Sequence, residues 1–546
     1  MMIHIDNAGA IGIIKDLPAH ELDSNAWSSG VNMRFYDGVA EKLKGYESAF
    51  STTDTPTIAI RPYWLHPVQS GASYFWLYAD TSAVHGTDGT TKKSLTESAS
   101  FSNSISATVS SWSGGVIGEI AVLTNGQNEP YQWGSVAIAP DLGLPLIHLQ
   151  NWPSATTCRI LKPYKEFLIA MDVTESSTRN RRLVRWSHPA VPGTVPSSWD
   201  YTDRSVLAGR VELAGDQYPI VDGGQMRDTF MIYKDHSTWT MDYIGLPDVM
   251  SFHKAFGEIG ILGKGCFTEI LGRHVLFGDG DIVRHDGQTM ETILKNRMRR
   301  WLYNDIDTTY FYRSFVTQNI GRSEVWFCYV STGTTNAGGA DYILPNKALV
   351  WNWRDDTTSI IDLPGSACAA TGIVSSGSGS STFDASSGTF DSDSSQFDEI
   401  LYQLQQHKTL MGYPTTGTSR ILIMDSTETT LGGGAMTSQL VRYAIPLDHV
   451  SDGGQRKNDL STIKHLKAVY PRITGTAGTV VYVYLHTQSI ADGTVTNYGP
   501  KEFTIGTTRK INTRVKGRLI GITFAGYDNN WQLTGYSLDV DIEGRR

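Results

Sequence analysis

The chain has 546 residues, of which 18% are charged, and its formal net charge at pH 7 is −9. The length predicts about three or four domains, and the charged share lies below the usual quarter, as on a surface built from small polar groups. The acidic balance argues against a protein that grips nucleic acid, because such binding depends on Lys and Arg that displace counterions; it does not argue against a protein that DNA passes through.

The four cysteines (Cys158, Cys266, Cys328 and Cys368) lie far apart, and no CxxC pair indicates a zinc or redox site. Three of them lie in apolar runs and are predicted to be small buried side chains, while a disulfide between two of them stays open. No apolar run approaches the roughly 20 residues that span a bilayer. We expect a soluble chain that is made in a cytoplasm.

Residues 1–54 are predicted to form an N-terminal arm with the first strands. The stretch 12–46 reads GIIKDLPAHELDSNAWSSGVNMRFYDGVAEKLKGY. Its composition indicates an extended polar segment that ends in a turn-rich strand. It lacks the order of a basic region and an apolar core that a signal peptide needs.

Residues 55–450 are predicted to form a β-propeller-like body. Short runs of β-branched and aromatic residues alternate with turns, and eight Asp-Gly or Asn-Gly dipeptides along the chain give strong hairpin signals. Segments such as YFWLYADTSAVHGTDG and RHVLFGDGDIVRHDG each predict a strand, a turn and a strand. Recurrence every few dozen residues is typical of radial architectures, although the repeat is too degenerate to give a blade count.

Residues 291–305, ETILKNRMRRWLYND, are predicted to form a helix. Leu294, Met298, Trp301 and Leu302 have the spacing of one helical face. Few other helices are expected.

Residues 371–398 form a Ser/Gly/Asp-rich stretch that we interpret as an exposed, flexible loop. Phe383, Phe390 and Phe397 recur seven residues apart, but helix formers do not fill the intervals, so a coiled coil is not predicted. The phenylalanines are candidate contacts to another subunit or to a fibre. Three acidic residues near the end of this stretch are candidates for a lumen or gate loop: Asp391, Asp393 and Asp398.

Residues 455–546 are predicted to form a C-terminal β-sandwich, after a boundary at Asp452-Gly453-Gly454. Tyr536, Leu538, Val540 and Ile542 alternate with polar residues, as in a strand with one buried face. The predicted fold class is therefore all-β.

No motif indicates catalysis. The cluster Asp279, Asp281, His285 and Asp286 lacks the twelfth-position Glu of a calcium loop, and two hairpin turns that flank a short strand explain it. The sequence has no nucleophile elbow, no phosphate loop and no Ser-x-Asp-x-Gly-x-x-Trp box of sialidase-like propellers. We expect no enzymatic activity, no catalytic residue, no cofactor and no metal.

A cluster of arginines surrounds the start of one strand. Its members are Arg179, Arg181, Arg182 and Arg185. In an acidic protein such charges favour protein contacts over DNA contacts.

Several segments, in order, resemble the tail nozzle or tail hub proteins of short-tailed bacteriophages, which are also called packaged-DNA stabilisation proteins. They are residues 12–46, WSGGVIGEIAVLTNGQNEPYQW, RLVRWSHPAVPGTVPSSWD, the spaced Phe-Asp loop and RLIGITFAGYDNNWQLTGYSLDVDIEGRR. The resemblance is weak over about residues 305–450.

The resemblance implies a β-propeller protein that forms a ring, expected to be a hexamer, below the portal and its adaptor. Such a ring extends the channel for genomic double-stranded DNA, retains the packaged genome, and attaches tail fibres or spikes. The implied location is the virion tail, with assembly in the cytoplasm of the host bacterium. Two alternatives stay open: a tail-associated propeller glycan hydrolase, and a receptor-binding adhesin without a ring.

Overall fold

The computed structural model describes most of the chain. The described residues are 1–50, 61–70, 73–89, 91–96, 105, 107–134, 140–335, 339–374, 407–414, 419–426, 428–431, 434–447, 449–450, 456–457, 460–491 and 493–545. The fold is all-β, as predicted, with a propeller body, a C-terminal sandwich and few helices. None of the helices in these ranges is long and apolar enough to cross a membrane.

The N-terminal segment is divided among four sheets. Its strands are β1 Met2–Asp6, β2 Gly12–Ile13, β3 Ala26–Trp27, β4 Ser29–Val31, β5 Met33–Tyr36, β6 Val39–Lys42 and β7 Glu47–Ser48, with a 3-10 turn at Ala19–Glu21. The sequence predicted an extended polar arm, whereas Ile3, Ile13, Trp27 and Phe35 are buried in the body of the protein. Their burial explains why the segment pairs with strands far away in sequence rather than projecting from the surface.

Seven units of four antiparallel strands form the propeller in the described residues. Their strands are β8 Trp64–Ser70, β9 Ser73–Ala79, β10 Val84–Thr87 and β11 Lys92–Ser94; β12 Ser113–Ile117, β13 Ile120–Thr124, β14 Tyr131–Trp133 and β15 Ile147–His148; β16 Thr156–Tyr164, β17 Phe167–Glu175, β18 Thr178–Trp186 and β19 Gly209–Glu212; β20 Ile220–Met226, β21 Thr229–Lys234, β22 Thr238–Gly245 and β23 Val249–Phe256; β24 Phe267–Ile270, β25 Arg273–Phe277, β26 Ile282–His285 and β27 Met290–Thr292; β28 Phe315–Asn319, β29 Glu324–Tyr329, β30 Lys347–Asn352 and β31 Thr357–Asp362; and β32 Cys368–Ile373, β33 His407–Tyr413 and β34 Arg420–Ile423, with β7 as the fourth strand of the last unit.

The first strand of each unit lies nearest the propeller axis, and β32 of the last unit packs against β8 of the first, which closes the ring. The fourth strand of the seventh unit is β7, which pairs Ser48 with Leu422 and Glu47 with Ile423. The N-terminal segment also extends the sixth unit, because Gly12 of β2 pairs with Thr358 of β31. Closure therefore depends on residues from both ends of the propeller sequence.

The sandwich consists of two sheets that both contain N-terminal strands. Its other strands are β35 Thr437–Arg442, β38 Thr462–Gly475, β39 Val480–Gln488, β40 Thr496–Thr504, β41 Ile511–Gly517, β42 Leu519–Tyr527 and β43 Trp531–Arg545; a separate hairpin contains β36 His449–Val450 and β37 Arg456–Lys457. One sheet has the order β4-β35-β42-β39-β40, and the other has β41-β38-β43-β6-β5 with β1 paired to β43. The sandwich thus begins before the predicted boundary, which lies outside the described residues.

One α-helix, α1 Arg299–Asp305, occurs in the described ranges, with 3-10 turns at Phe311–Arg313, Ile320–Arg322 and Ala340–Tyr342. The helix was predicted over 291–305. It begins later because Asn296 takes a left-handed conformation with φ of 58°, which interrupts a helix. Leu294, Met298 and Leu302 are nevertheless buried, as their spacing predicted.

A buried ion cluster joins the sandwich to two propeller units. Arg34 of β5 donates to both carboxylate oxygens of Glu324 (2.9 and 3.1 Å) and to those of Asp425 (2.9 Å each). Glu324 begins β29 of the sixth unit, and Asp425 follows β34 of the seventh. Burial raises the pKa of Glu324, and Arg34 opposes that shift. The arginine holds together three parts of the fold by neutralising buried carboxylates.

Glycines allow the first strands to approach one another around the axis. A Cβ on Gly115 of β12 would lie 2.4 Å from Cδ of Pro163 in β16, and one on Gly224 of β20 would lie 2.7 Å from the Phe267 ring of β24. Such contacts leave no room for a side chain.

We expect Arg34→Met to lower the free energy of unfolding by about 3–5 kcal/mol, because it leaves buried Glu324 without its cation and Asp425 with only Arg322, at 3.8 Å. Urea unfolding monitored by tryptophan fluorescence measures the change. Arg182→Met is the matched control, since Arg182 and its partner Glu212 have side chains that are 34% and 39% exposed, and such pairs contribute about 0–1 kcal/mol. Equal effects of the two substitutions would contradict the role of the cluster.

Gly115→Ala should destabilise the chain by about 1–3 kcal/mol, because neighbouring strands must move apart to admit the methyl group. Gly257→Ala is the control, because the nearest atom to a Cβ at that position is 4.0 Å away. Differential scanning calorimetry compares the two variants. An unchanged melting temperature for Gly115→Ala would show that the strands around the axis are not closely packed.

Candidate functional site

A cavity of about 250 Å³ lies on the propeller axis, and all seven units line it. The residues that represent the seven units are Trp64, Ser113, Lys162, Asp222, Gly265, Phe315 and Ala369. They lie in or immediately before the first strands, because those strands surround the axis. All seven units of the propeller therefore meet at this cavity.

Charged groups cross-link the strands at this cavity. Asp222 accepts hydrogen bonds from the backbone N–H groups of Gly223 (2.9 Å) and Gly265 (2.8 Å), and the Lys162 ammonium lies 3.8 Å from its carboxylate. Lys264 donates to the carbonyl oxygens of Ser111 (2.7 Å) and Arg159 (2.6 Å). Lys264 thereby connects the fifth unit to the second and third, and burial lowers its pKa to about 8.

Aromatic rings close one side of the cavity. Trp64 stacks on His66, with ring centroids 5.5 Å apart, and on Trp112 at 6.3 Å. Burial, and then the nearby charge of Lys162, lowers the pKa of His66 to about 4, so this histidine is neutral at pH 7. The cavity is therefore polar on the lysine side and apolar on the tryptophan side.

The propeller axis has no room for a DNA duplex. The major groove of B-DNA alone is about 12 Å wide, whereas the cavity between the first strands has a volume of about 250 Å³.

The acidic cluster around β26 has structural partners. His285 shares a hydrogen bond with the Tyr233 hydroxyl (2.9 Å), and the Tyr233 hydroxyl also contacts His274 (2.6 Å). Asp286 accepts the backbone N–H of Thr289 (2.7 Å), as a turn residue does. No group of three metal-ligating side chains occurs among the residues that the structure describes. The prediction of two hairpin turns around a short strand agrees with this arrangement.

Three arginines of the predicted cluster form ion pairs within the chain. Arg179 pairs with Asp172, Arg182 with Glu212 and Arg185 with Glu175. These carboxylates neutralise the cluster, so it presents little positive charge for DNA.

The predicted contact and gate residues lie outside the described residues: Phe383, Phe390, Phe397, Asp391, Asp393 and Asp398. They stay predictions. The segment that contains them connects Ile373 at the end of β32 to His407 at the start of β33.

Sequence reasoning missed the axis cavity. Lys162, Asp222 and Lys264 are up to a hundred residues apart and belong to three different units. The Gly-Gly pairs at 114–115 and 223–224 were the available signal, because paired glycines in a strand often mark close backbone approach.

The cysteines are free thiols, and Cys158, Cys266 and Cys328 are buried, as predicted. Burial raises the pKa of Cys158 to about 12, which makes a reactive thiolate unfavourable.

The chain matches no protein-family model and no curated protein sequence. Among solved structures, it is similar to the WD40 domain of Pan2 from Neurospora crassa, with 11% sequence identity and a TM-score of 0.27; the similarity covers 48% of this chain and 78% of that chain. At this score the similarity carries no argument. The propeller assignment rests on the strand pairing described above.

Lys264 should make stability depend on pH. Its folded-state pKa is about 8 against an ordinary value of 10.5, so the unfolded chain binds more protons between these values. The contribution of this lysine to stability therefore rises from about pH 8 to 10.5. We expect the free energy of unfolding of the wild type to increase relative to that of Lys264→Met over this window.

Chemical denaturation at several pH values measures the difference in free energy of unfolding between the wild type and Lys264→Met. Ionisable groups that occur in both proteins contribute equally to the two values and do not affect the difference. Lys93→Met, at an exposed position, is the control, and its difference from the wild type should not vary with pH. A constant difference for Lys264→Met would show that the buried ammonium keeps its ordinary titration.

Proposed function

We propose that the chain is a virion structural protein. In this proposal it is one subunit of a ring-shaped tail nozzle, expected to be hexameric, that extends the DNA channel below the portal and its adaptor. The ring retains the packaged genome, passes it during ejection and contacts tail fibres or spikes. The observation that carries the proposal is the position, in the fold, of the segments that resemble the nozzle proteins.

Two of the resembling segments, residues 12–46 and 518–545, lie at the junction between the propeller and the sandwich, and two others, 112–133 and 182–200, lie in the second and third propeller units. Trp27 and Phe524 have ring centroids 6.3 Å apart and join β3 to the sandwich core, and Trp27 also donates to the carbonyl of Ala8 (2.6 Å). Asn32 donates to Asp362 of the sixth unit (3.0 Å), and Arg34 makes the ion cluster described above. The resembling segments therefore include residues that join the propeller to the sandwich. This supports an architecture shared with the nozzle proteins.

The narrow propeller axis favours a channel outside the propeller in such a ring. Because the propeller does not admit a duplex, DNA passes between subunits, along the faces that they turn towards the ring centre. A cyclic ring uses heterologous contacts, in which one face of a subunit meets a different face of the next. The formal charge of −9 suits a channel that repels phosphate and lets DNA move.

Exposed apolar turns are available for subunit contacts. Ile244 (56% exposed) and Leu246 (73%) lie at the turn between the third and fourth strands of the fourth unit, and Leu271 (80%) lies at the turn between the first and second strands of the fifth. In antiparallel units these two turns are at the same end of the propeller. The segment with Phe383, Phe390 and Phe397 also connects a first to a second strand, so its attachment points are at that end.

Immunogold electron microscopy of phage particles tests the proposal, with one antibody against residues 371–398 and a second against the whole folded chain. Gold on the tail stub of short-tailed virions is the expected result. Preadsorption of each antibody with its antigen is the control. Virions without label from either antibody, while the protein is abundant in the lysate, would overturn the nozzle assignment and favour the hydrolase or the adhesin.

A further inference from the structure

We propose that the axis cavity binds a small oxyanion, through a phosphate or carboxylate group. Nothing in the nozzle proposal requires this site, and the inference holds for a single subunit. It rests on the charge, the hydrogen-bonding capacity and the size of the cavity.

The lining of the cavity has an excess of two positive charges. Lys162, Lys264 and Arg313 are its basic side chains, and Asp222 is its only acidic side chain in the described residues. Both oxygens of Asp222 already accept backbone N–H groups, so the carboxylate is held in place and stabilised. Lys264 and Arg313 donate to backbone carbonyl oxygens, which leaves their positive charge unneutralised, and such charge away from bulk water is costly. A bound anion would offset that cost, although the whole chain is acidic.

Donors remain for such an anion. The distance of 3.8 Å between Lys162 and Asp222 is too long for a hydrogen bond, and the Lys162 side chain is 26% exposed. Nε of Arg313 and Oγ of Ser314 are buried, and neither has a hydrogen-bond partner among the residues that the structure describes. A charged acceptor that enters the cavity can use donors that the folded chain leaves unused.

The cavity favours a small ligand. Its volume of about 250 Å³ is below the range of about 300–1,000 Å³ that drug-sized molecules occupy. The Trp64 ring forms an apolar wall beside the ammonium groups. Inorganic phosphate and simple carboxylates fit this size and need no further contacts.

Isothermal titration calorimetry of the full chain at pH 7, first with inorganic phosphate and then with acetate, tests the site. We expect saturable binding with one site per chain, and the preferred anion identifies the group that the cavity recognises. Lys162→Met should weaken binding by about tenfold or more, because a hydrogen bond to a charged group contributes about 1.5–3 kcal/mol. Lys165→Met is the matched control, because Lys165 directly follows β16, the strand that contains Lys162, and its side chain is exposed.

Absence of saturable binding with both anions would overturn the proposal, as would equal affinities of Lys162→Met and Lys165→Met. Circular dichroism verifies the fold of each variant. Ser314→Ala is the second variant, because it removes only a hydroxyl that has no partner. If Lys162→Met does not fold, unchanged affinity in Ser314→Ala rejects the site and weakened affinity supports it.

Discussion

The contact on which the rest of the structure depends is the one that Arg34 makes with Glu324 and Asp425. A guanidinium that is 1% exposed pairs with carboxylates from two neighbouring propeller units, and it belongs to a strand of the sandwich. Burial alone would disfavour all three charges. Because each of these charges is stabilised largely by the others, the ion cluster favours the native arrangement of the sandwich with the last two units. The chain therefore behaves as one body rather than as separate domains linked by flexible connections.

Continuous apolar packing reinforces that arrangement. One buried cluster contains Phe277 and Phe327 from the propeller, Ile13 and Trp27 from the N-terminal segment, and Phe524 from the sandwich. Arg442 of the sandwich donates to the carbonyl oxygens of Ala19 (2.6 Å) and Leu22 (2.8 Å). The N-terminal segment is thus held by hydrogen bonds where it has few apolar side chains, and by burial where it has many.

The Asn-Gly and Asp-Gly dipeptides of the sequence correctly predicted turns. Asn125-Gly126 and Asp286-Gly287 lie at turns, with both glycines at positive φ, because only small residues tolerate these turn conformations. The number of units did not follow from the sequence, since connections between them vary from a few residues, as at 363–367, to a long stretch, as at 95–112. The N-terminal strands did not follow either. Strands as short as Gly12–Ile13 have little pattern of their own, and their partners are hundreds of residues away. The axis cavity was missed for the same reason, because its charges are adjacent only after closure.

Strand β7 has a consequence for how the protein is made. Glu47 and Ser48 leave the ribosome before the rest of the propeller, but they pair with Ile423 and Leu422, and Met2–Asp6 pairs with β43 at the other end of the chain. During translation β1, β4 and β7 lack the strands with which they pair, so the apolar side chains of this segment are open to association with other nascent chains. The native pairing of β1 waits until β43 has been synthesised, and such distant pairings fold slowly. The segment that contains β1 and β7 is therefore most exposed to such association until β34 and β43 have been synthesised.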